Sequence, residues 1–292
     1  MKSAFLRLGL LAAVVVGMVA CNDSVENDDE AKIIENQQQI EKYLADSAVT
    51  ATRDSSGLYY VIKKGNPTGA KPQLGESVRL NFNAYLLNGT KIWTSENTDK
   101  IPYIRPYGLG FFLLRGVERG MNLLRTGESA TFYMPFYLAF GSYAYDNIPA
   151  YSVIKMNIEF VNSRTEVKQI DDYLQEKQFP VSDRTADNLV LIRTNTVSGD
   201  TIGPGKTVTV KYQGKLLTGQ IFDKGTTPLT FTTGTGQVKS GFDRAVRKMR
   251  KGEKAIAIFP SNLGYGKEGA RNANGEYLIL PYSPLQFELE VQ

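Results

Sequence analysis

The chain has 292 residues, of which 42% are hydrophobic and 22% charged, enough apolar material for two ordinary domains and too much for a chain disordered throughout. Its net charge of +4 comes from 34 basic and 30 acidic residues scattered along the sequence, a balance that argues against a nucleic-acid surface. There is no histidine, the single cysteine is Cys21, and no Gly-x-x-x-x-Gly-Lys phosphate loop occurs. Ser-His-Asp and Cys-His catalysis and histidine- or cysteine-built metal sites are therefore excluded, and no cofactor is expected.

In chain order, Lys2 and Arg7 precede an apolar run over residues 8–19 that reads as a signal h-region, so residues 1–20 are expected to be a signal peptide. The run is shorter than the ~20 residues needed to span a bilayer. Met18-Val19-Ala20-Cys21 resembles the bacterial lipoprotein box, with Met18 where leucine is usual. That resemblance implies lipidation of Cys21 and an exported protein anchored to a cell-envelope membrane, on the periplasmic or surface side of the outer membrane. Residues 21–30, rich in Asp and Glu, read as a flexible acidic tether. They resemble the stretches that follow the lipidated cysteine in Bacteroidetes lipoproteins.

The remainder is an internal duplication. An offset of 130 residues superposes Ile40-Glu41-Lys42-Tyr43-Leu44 on Ile170-Asp171-Asp172-Tyr173-Leu174, and Leu86-Leu87-Asn88-Gly89 on Leu216-Leu217-Thr218-Gly219. Farther along the offset falls to 125, pairing Arg125-Thr126-Gly127-Glu128 with Arg250-Lys251-Gly252-Glu253 and Leu138-Ala139-Phe140-Gly141 with Leu263-Gly264-Tyr265-Gly266. Units of this length are domains rather than solenoid repeats, and the boundaries fall at residues 31–162 and 163–292. Each copy opens with a helical segment, residues 31–44 and 167–178, whose apolar positions share one face. These segments are expected to dock on the neighbouring module, with a dimerisation helix as the alternative.

Within each copy the apolar period changes to two. Val78, Leu80 and Phe82, like Val208, Val210 and Tyr212, alternate with polar residues, as do the closing runs Ile154, Met156, Ile158, Phe160 and Leu285, Phe287, Leu289, Val291. Between the strands of the second copy, Phe242, Ala245, Val246 and Met249 have the spacing of one short amphipathic helix, with Gly252 as its stop. The predicted fold class is α+β: two modules, each a twisted antiparallel sheet wrapped on one short helix.

The second copy carries the string Lys-Tyr-Gln-Gly-Lys-Leu-Leu-Thr-Gly-Gln-Ile-Phe-Asp over residues 211–223. It is followed by Pro228, Phe231, Val238-x-x-Gly241-Phe242, Met249-x-x-Gly252-Glu253, a Gly-Tyr-Gly at 264–266, and Leu280-Pro281 before Leu285-x-Phe287. In order and spacing this resembles the FKBP-type peptidyl-prolyl cis-trans isomerases. The resemblance implies a proline pocket walled by Tyr212, Phe222, Val238, Phe242, Ile279 and Phe287, with Asp223 and Tyr265 as its polar rim. It also implies proline-containing polypeptides as clients, no nucleic acid, and catalysis without a metal or cofactor. Two departures stand out: Phe242 replaces the tryptophan usual at the pocket floor, and Lys239 replaces an aliphatic residue beside Val238.

At the matching positions the first copy reads Phe82, Ile92, Trp93, Leu113, Leu114, Val117, Phe140, Ile148 and Met156. Trp93 stands where the aspartate belongs and Phe140 where the tyrosine hydroxyl belongs, so turnover is expected from the second copy. Residues 102–107, rich in aromatics and prolines, replace the family's flap. The expected function is isomerisation of X-Pro bonds in exported proteins, and the alternative is a non-catalytic peptide-binding or chaperone lipoprotein.

Overall fold

The computed structural model describes residues 24–96, 103–110, 112 and 114–292. The signal segment, Cys21, Pro102 and Leu113 lie outside the described residues. The first module comprises helix α1 (Ser24–Asp46), strands β1 (Thr52–Arg53), β2 (Tyr59–Lys64), β3 (Ser77–Leu86), β4 (Lys91–Thr94) and β5 (Tyr103–Pro106), helix α2 (Arg115–Met121), and strands β6 (Ser129–Met134) and β7 (Ile154–Arg164). The second repeats that order: α3 (Glu166–Lys177), β8 (Asp183–Arg184), β9 (Val190–Arg193), β10 (Thr207–Leu216), β11 (Ile221–Asp223), β12 (Leu229–Thr232), α4 (Ser240–Arg247) and β13 (Lys254–Phe259). It ends with the small hairpin β14 (Ala270–Arg271) and β15 (Tyr277–Ile279), then β16 (Leu285–Val291).

The two large sheets have one topology. The first runs β1-β2-β6-β7-β3-β4 with β5 also paired to β3; the second runs β8-β9-β13-β16-β10-β11 with β12 also paired to β10. Registers repeat as well, since Ala84 faces both Met156 and Trp93 as Gly214 faces both Phe287 and Asp223. The inner face of each sheet carries the period-two apolar residues and buries them against its short helix, Val117 and Met121 in α2, Phe242, Ala245 and Val246 in α4. Each buried Val, Met or Phe among them contributes roughly 1.5–3 kcal/mol by leaving water. The helices lie close because glycine faces the sheet: a Cβ on Gly241 would stand 2.5 Å from the Phe259 ring, and one on Gly116 2.5 Å from the Met134 sulfur. Met249 is buried just past α4, and Gly252 (φ +78°) lies in the following turn rather than at the helix end.

Two expectations are corrected. The acidic stretch before residue 31 is not a tether throughout, because α1 begins at Ser24 and takes Glu26, Asp28, Asp29 and Glu30 into its first turns. Within this helical stretch Asp29 accepts a hydrogen bond from the Tyr151 hydroxyl at 3.0 Å. Nor does either leading helix dock on the neighbouring module. Ile40 and Leu44 of α1 pack with Tyr59, Tyr133 and Val153, and Ile170 and Leu174 of α3 with Val190, Ile192 and Ile258, each on the outer face of its own sheet. Polar positions of the strand alternation are therefore covered: Gln286 is 3% exposed and accepts a hydrogen bond from Tyr173 at 2.8 Å. Among the described residues no helix is long and apolar enough to cross a membrane.

Candidate functional site

In the second module, β10, β11, β12, β16 and the start of α4 converge on a cavity of about 340 Å³. Tyr212, Asp223, Val238, Phe242, Tyr265 and Phe287 all line it. Their aromatic rings meet edge to face: Phe242 lies 5.3 Å from Phe287 at 87°, and Tyr212 lies 5.6 Å from Phe242 at 89°. Such contacts hold the rings in one arrangement, each worth about 0.5–1.5 kcal/mol beyond area burial. Phe222 is not among the lining residues and packs beside them, 5.6 Å from Phe287 and 6.3 Å from Tyr265. This close approach depends on Gly214, where a Cβ would stand 2.5 Å from Phe222 and 3.0 Å from Phe287. Ile279 is buried in the core near these residues and is not part of the lining.

The rim is a small polar network. The Tyr212 hydroxyl donates to Asp223 Oδ2 at 2.9 Å, and the Gly225 amide donates to Asp223 Oδ1 at 3.0 Å. Tyr212 is thus both wall and rim. Its phenol is pushed up to about 12, by burial first and by the hydrogen bond to Asp223 second. Burial, then the charge of Asp223, likewise raises Tyr265. The Lys239 ammonium lies 4.4 Å from the centre of the Tyr265 ring, placing a cation at the mouth beside a carboxylate. Leu229, Gly236 and Gln237 complete the lining and were not anticipated from the sequence. Leu229 is two residues before Phe231 in a strand of only four residues, too short for alternation to register.

In the first module, among the described residues, aromatic side chains crowd the corresponding space. Tyr103 occupies the place of Leu229, since Tyr103 pairs with Leu80 as Leu229 pairs with Val210. Its ring meets Phe82 at 5.2 Å and Trp93 at 5.8 Å, while Trp93 meets Phe82 at 4.4 Å. Phe112 is buried beside them, 6.4 Å from Tyr103, and Phe140 stacks on Tyr145 at 5.6 Å. Residues 103–106 thus form a strand packed into this cluster.

A cavity of about 380 Å³ also lies at the junction of the modules, bordered by Ile104, Arg164, Asp172, Tyr173, Leu280 and Tyr282. Arg164 and Asp172 there pair with each other at 3.4 Å, and the pocket aromatics of the second module do not reach it. Among the described residues no group of three or more acidic or cysteine side chains is placed to hold a metal ion.

Residues 68–161 and 199–292 each match the family model described as FKBP-type peptidyl-prolyl cis-trans isomerase. The chain is 38% identical over 127 residues to the peptidyl-prolyl cis-trans isomerase FKBP53 of Arabidopsis thaliana, covering 40% of this chain and 26% of that protein. It is 30% identical over 144 residues to the FKBP-type peptidyl-prolyl cis-trans isomerase FkpA of Aeromonas hydrophila, covering 48% of this chain and 51% of that one. The chain therefore spans about a quarter and about half of these two relatives. With the FK506-binding protein of Neisseria meningitidis serogroup A it shares 42% identity over 90 residues, which cover 30% of this chain and 78% of the relative. Two matched domains of one topology, the second with an open aromatic pocket, place this chain in the FKBP-type peptidyl-prolyl cis-trans isomerase family.

Proposed function

We propose that the second module isomerises X-Pro bonds of exported polypeptides, and that the first is a non-catalytic companion. The observation carrying this reading is the open pocket bounded by Tyr212, Phe242 and Phe287 and rimmed by Asp223 and Tyr265. Rotation about an X-Pro amide meets a barrier of ~18–20 kcal/mol, although the two isomers differ little in energy. No covalent bond breaks, so the chain needs neither nucleophile nor metal. The twisted amide loses resonance and becomes less polar than the planar ground state. A dry aromatic pocket costs the planar amide its hydration and costs the twisted form less, which lowers the barrier. Tyr265 and the Asp223–Tyr212 pair hold the flanking peptide so that only the prolyl bond turns.

A protease-coupled isomerisation assay on residues 22–292 tests this. The parent chain is expected to accelerate cis-to-trans conversion of a proline tetrapeptide. Asp223→Ala is expected to lower kcat/KM roughly tenfold, about 1.4 kcal/mol in the barrier, while changing stability by under about 1 kcal/mol because the freed Tyr212 hydroxyl can reach water. An inactive parent chain, or full activity in Asp223→Ala, overturns the reading.

The proposal extends to location: Cys21 is acylated and tethers the modules to an envelope membrane. The sequence around Cys21 supports it, and alkyne fatty-acid labelling tests it. The parent chain should take up label and Cys21→Ser should not; label retained by the variant rules out this anchor.

A further inference from the structure

We propose that Glu166, in the first turn of α3, is a positioning residue for Tyr265, so that the leading helix of the second module sets the rim of its pocket. The inference rests on the isomerase reading above for its functional consequence and on geometry for its cause. Ser261, 3% exposed, opens the loop that carries Tyr265. Its amide donates to Glu166 Oε2 at 2.5 Å and its hydroxyl to Glu166 Oε1 at 2.7 Å. The Ser261 carbonyl in turn accepts from the amides of Gly264 at 2.8 Å and Gly266 at 2.7 Å, the residues on either side of Tyr265. Gly266 returns its own carbonyl to the Tyr282 amide at 3.0 Å. One carboxylate from α3 therefore fixes the residue on which both flanks of the rim tyrosine hang.

The first module repeats this device, which argues against coincidence. Asn36 stands in α1 where Glu166 stands in α3, and Phe136 stands where Ser261 does, at the repeat's own offsets. Asn36 is 1% exposed; its Oδ1 accepts from the Phe136 amide at 2.9 Å, and the Phe136 carbonyl accepts from Ala139 and Gly141 at 2.9 Å each. Phe136 has no hydroxyl, so one amide oxygen suffices there and the second acceptor oxygen has no task. Where the loop carries a rim tyrosine, the helix supplies two acceptor oxygens; where it carries Phe140, it supplies one. Both helices are further tied down by a tyrosine, Tyr173 to Gln286 and Tyr43 to Lys155, at equivalent strand positions.

The test is a double-mutant cycle in the full chain between Glu166→Ala and Tyr265→Phe, with kcat and KM resolved separately, alongside amide hydrogen exchange at Gly264 and Gly266. Glu166→Ala is expected to lower kcat/KM about tenfold, mainly through kcat, and Tyr265→Phe to add under about twofold in that background. Exchange at Gly264 and Gly266 should quicken at least tenfold, with Ala257 and Leu289 in the sheet unchanged. Glu166→Gln, which keeps an acceptor for the Ser261 amide and a donor for its hydroxyl, should restore activity to within about threefold; it also serves if the alanine variant does not fold. Additive losses in the cycle, or unchanged exchange at the two glycines, overturn the proposal. A parent chain without isomerase activity would instead refute the functional reading, and the exchange comparison would still decide whether Glu166 holds the loop.

Discussion

The sharpest departure at the pocket is Lys239. Its backbone carbonyl accepts the Asp243 amide at 3.0 Å at the start of α4, while its ammonium lies over Tyr265 at the mouth. An exposed cation there meets whatever flanks the bound proline, and an exposed ion pair is worth about 0.2–1 kcal/mol, or up to about fivefold in rate. Tetrapeptides with glutamate before proline should therefore be turned over about two- to fivefold faster than those with lysine, and Lys239→Glu should reverse the order. Raising the salt concentration should flatten both preferences, as an exposed pair requires. Equal kcat/KM for the two peptides in the parent chain would remove Lys239 from specificity. This residue was legible in the sequence because a motif fixed its neighbours. The Tyr212–Asp223 hydrogen bond was not, since alternation alone casts Tyr212 as a buried wall and says nothing of its hydroxyl.

At the scale of elements, the strands and the short helices were legible, because each buries one face and the apolar period records it. The outer face was not legible, because the alternation does not record what covers it. Gln286 and Lys155 look solvated in the alternation, yet the leading helices cover them through Tyr173 and Tyr43. A helix held to its sheet by two apolar residues and a few hydrogen bonds leaves too faint a pattern to reveal its docking partner. The aromatic cluster of the first module was half legible. Trp93 and Phe140 disclosed the lost rim, whereas Tyr103 and Phe112 could be placed only once β5 was paired with β3. The aromatic cluster makes its own prediction: Trp93→Ala and Phe140→Ala in the full chain should leave turnover within about twofold. Trp93→Ala should also cost up to about 3 kcal/mol in the first module, visible as a shift of one of two thermal unfolding transitions. A loss of activity comparable to that of Asp223→Ala would show that the first module takes part in turnover.

For the whole molecule, the modules share one architecture and differ in what fills it, so the chain's pH response should be that of a single pocket. No proton is transferred in rotating an amide, and the chain has no histidine whose charge could change near neutrality. The pocket groups that do respond are Tyr212, pushed up to about 12, and Tyr265, raised in the same direction. Both are raised in the folded state, so the fold favours their protonated forms. The stability they contribute is present in full below the ordinary tyrosine value of about 10 and is lost as pH rises through the folded value. The Tyr212 hydroxyl ceases to be a donor to Asp223 in that same interval. We therefore expect kcat/KM to stay level from about pH 6 to 9 and to fall only above about pH 10, together with tyrosinate absorbance. Tyr212→Phe, which has no proton to lose at that position, should start lower and fall less steeply before the chain unfolds. Exhaustive chelation should leave the level region unchanged. A bell-shaped profile with an inflection near pH 7 would mean that a titrating acid or base takes part in the reaction, and would contradict a mechanism built on desolvation and orientation.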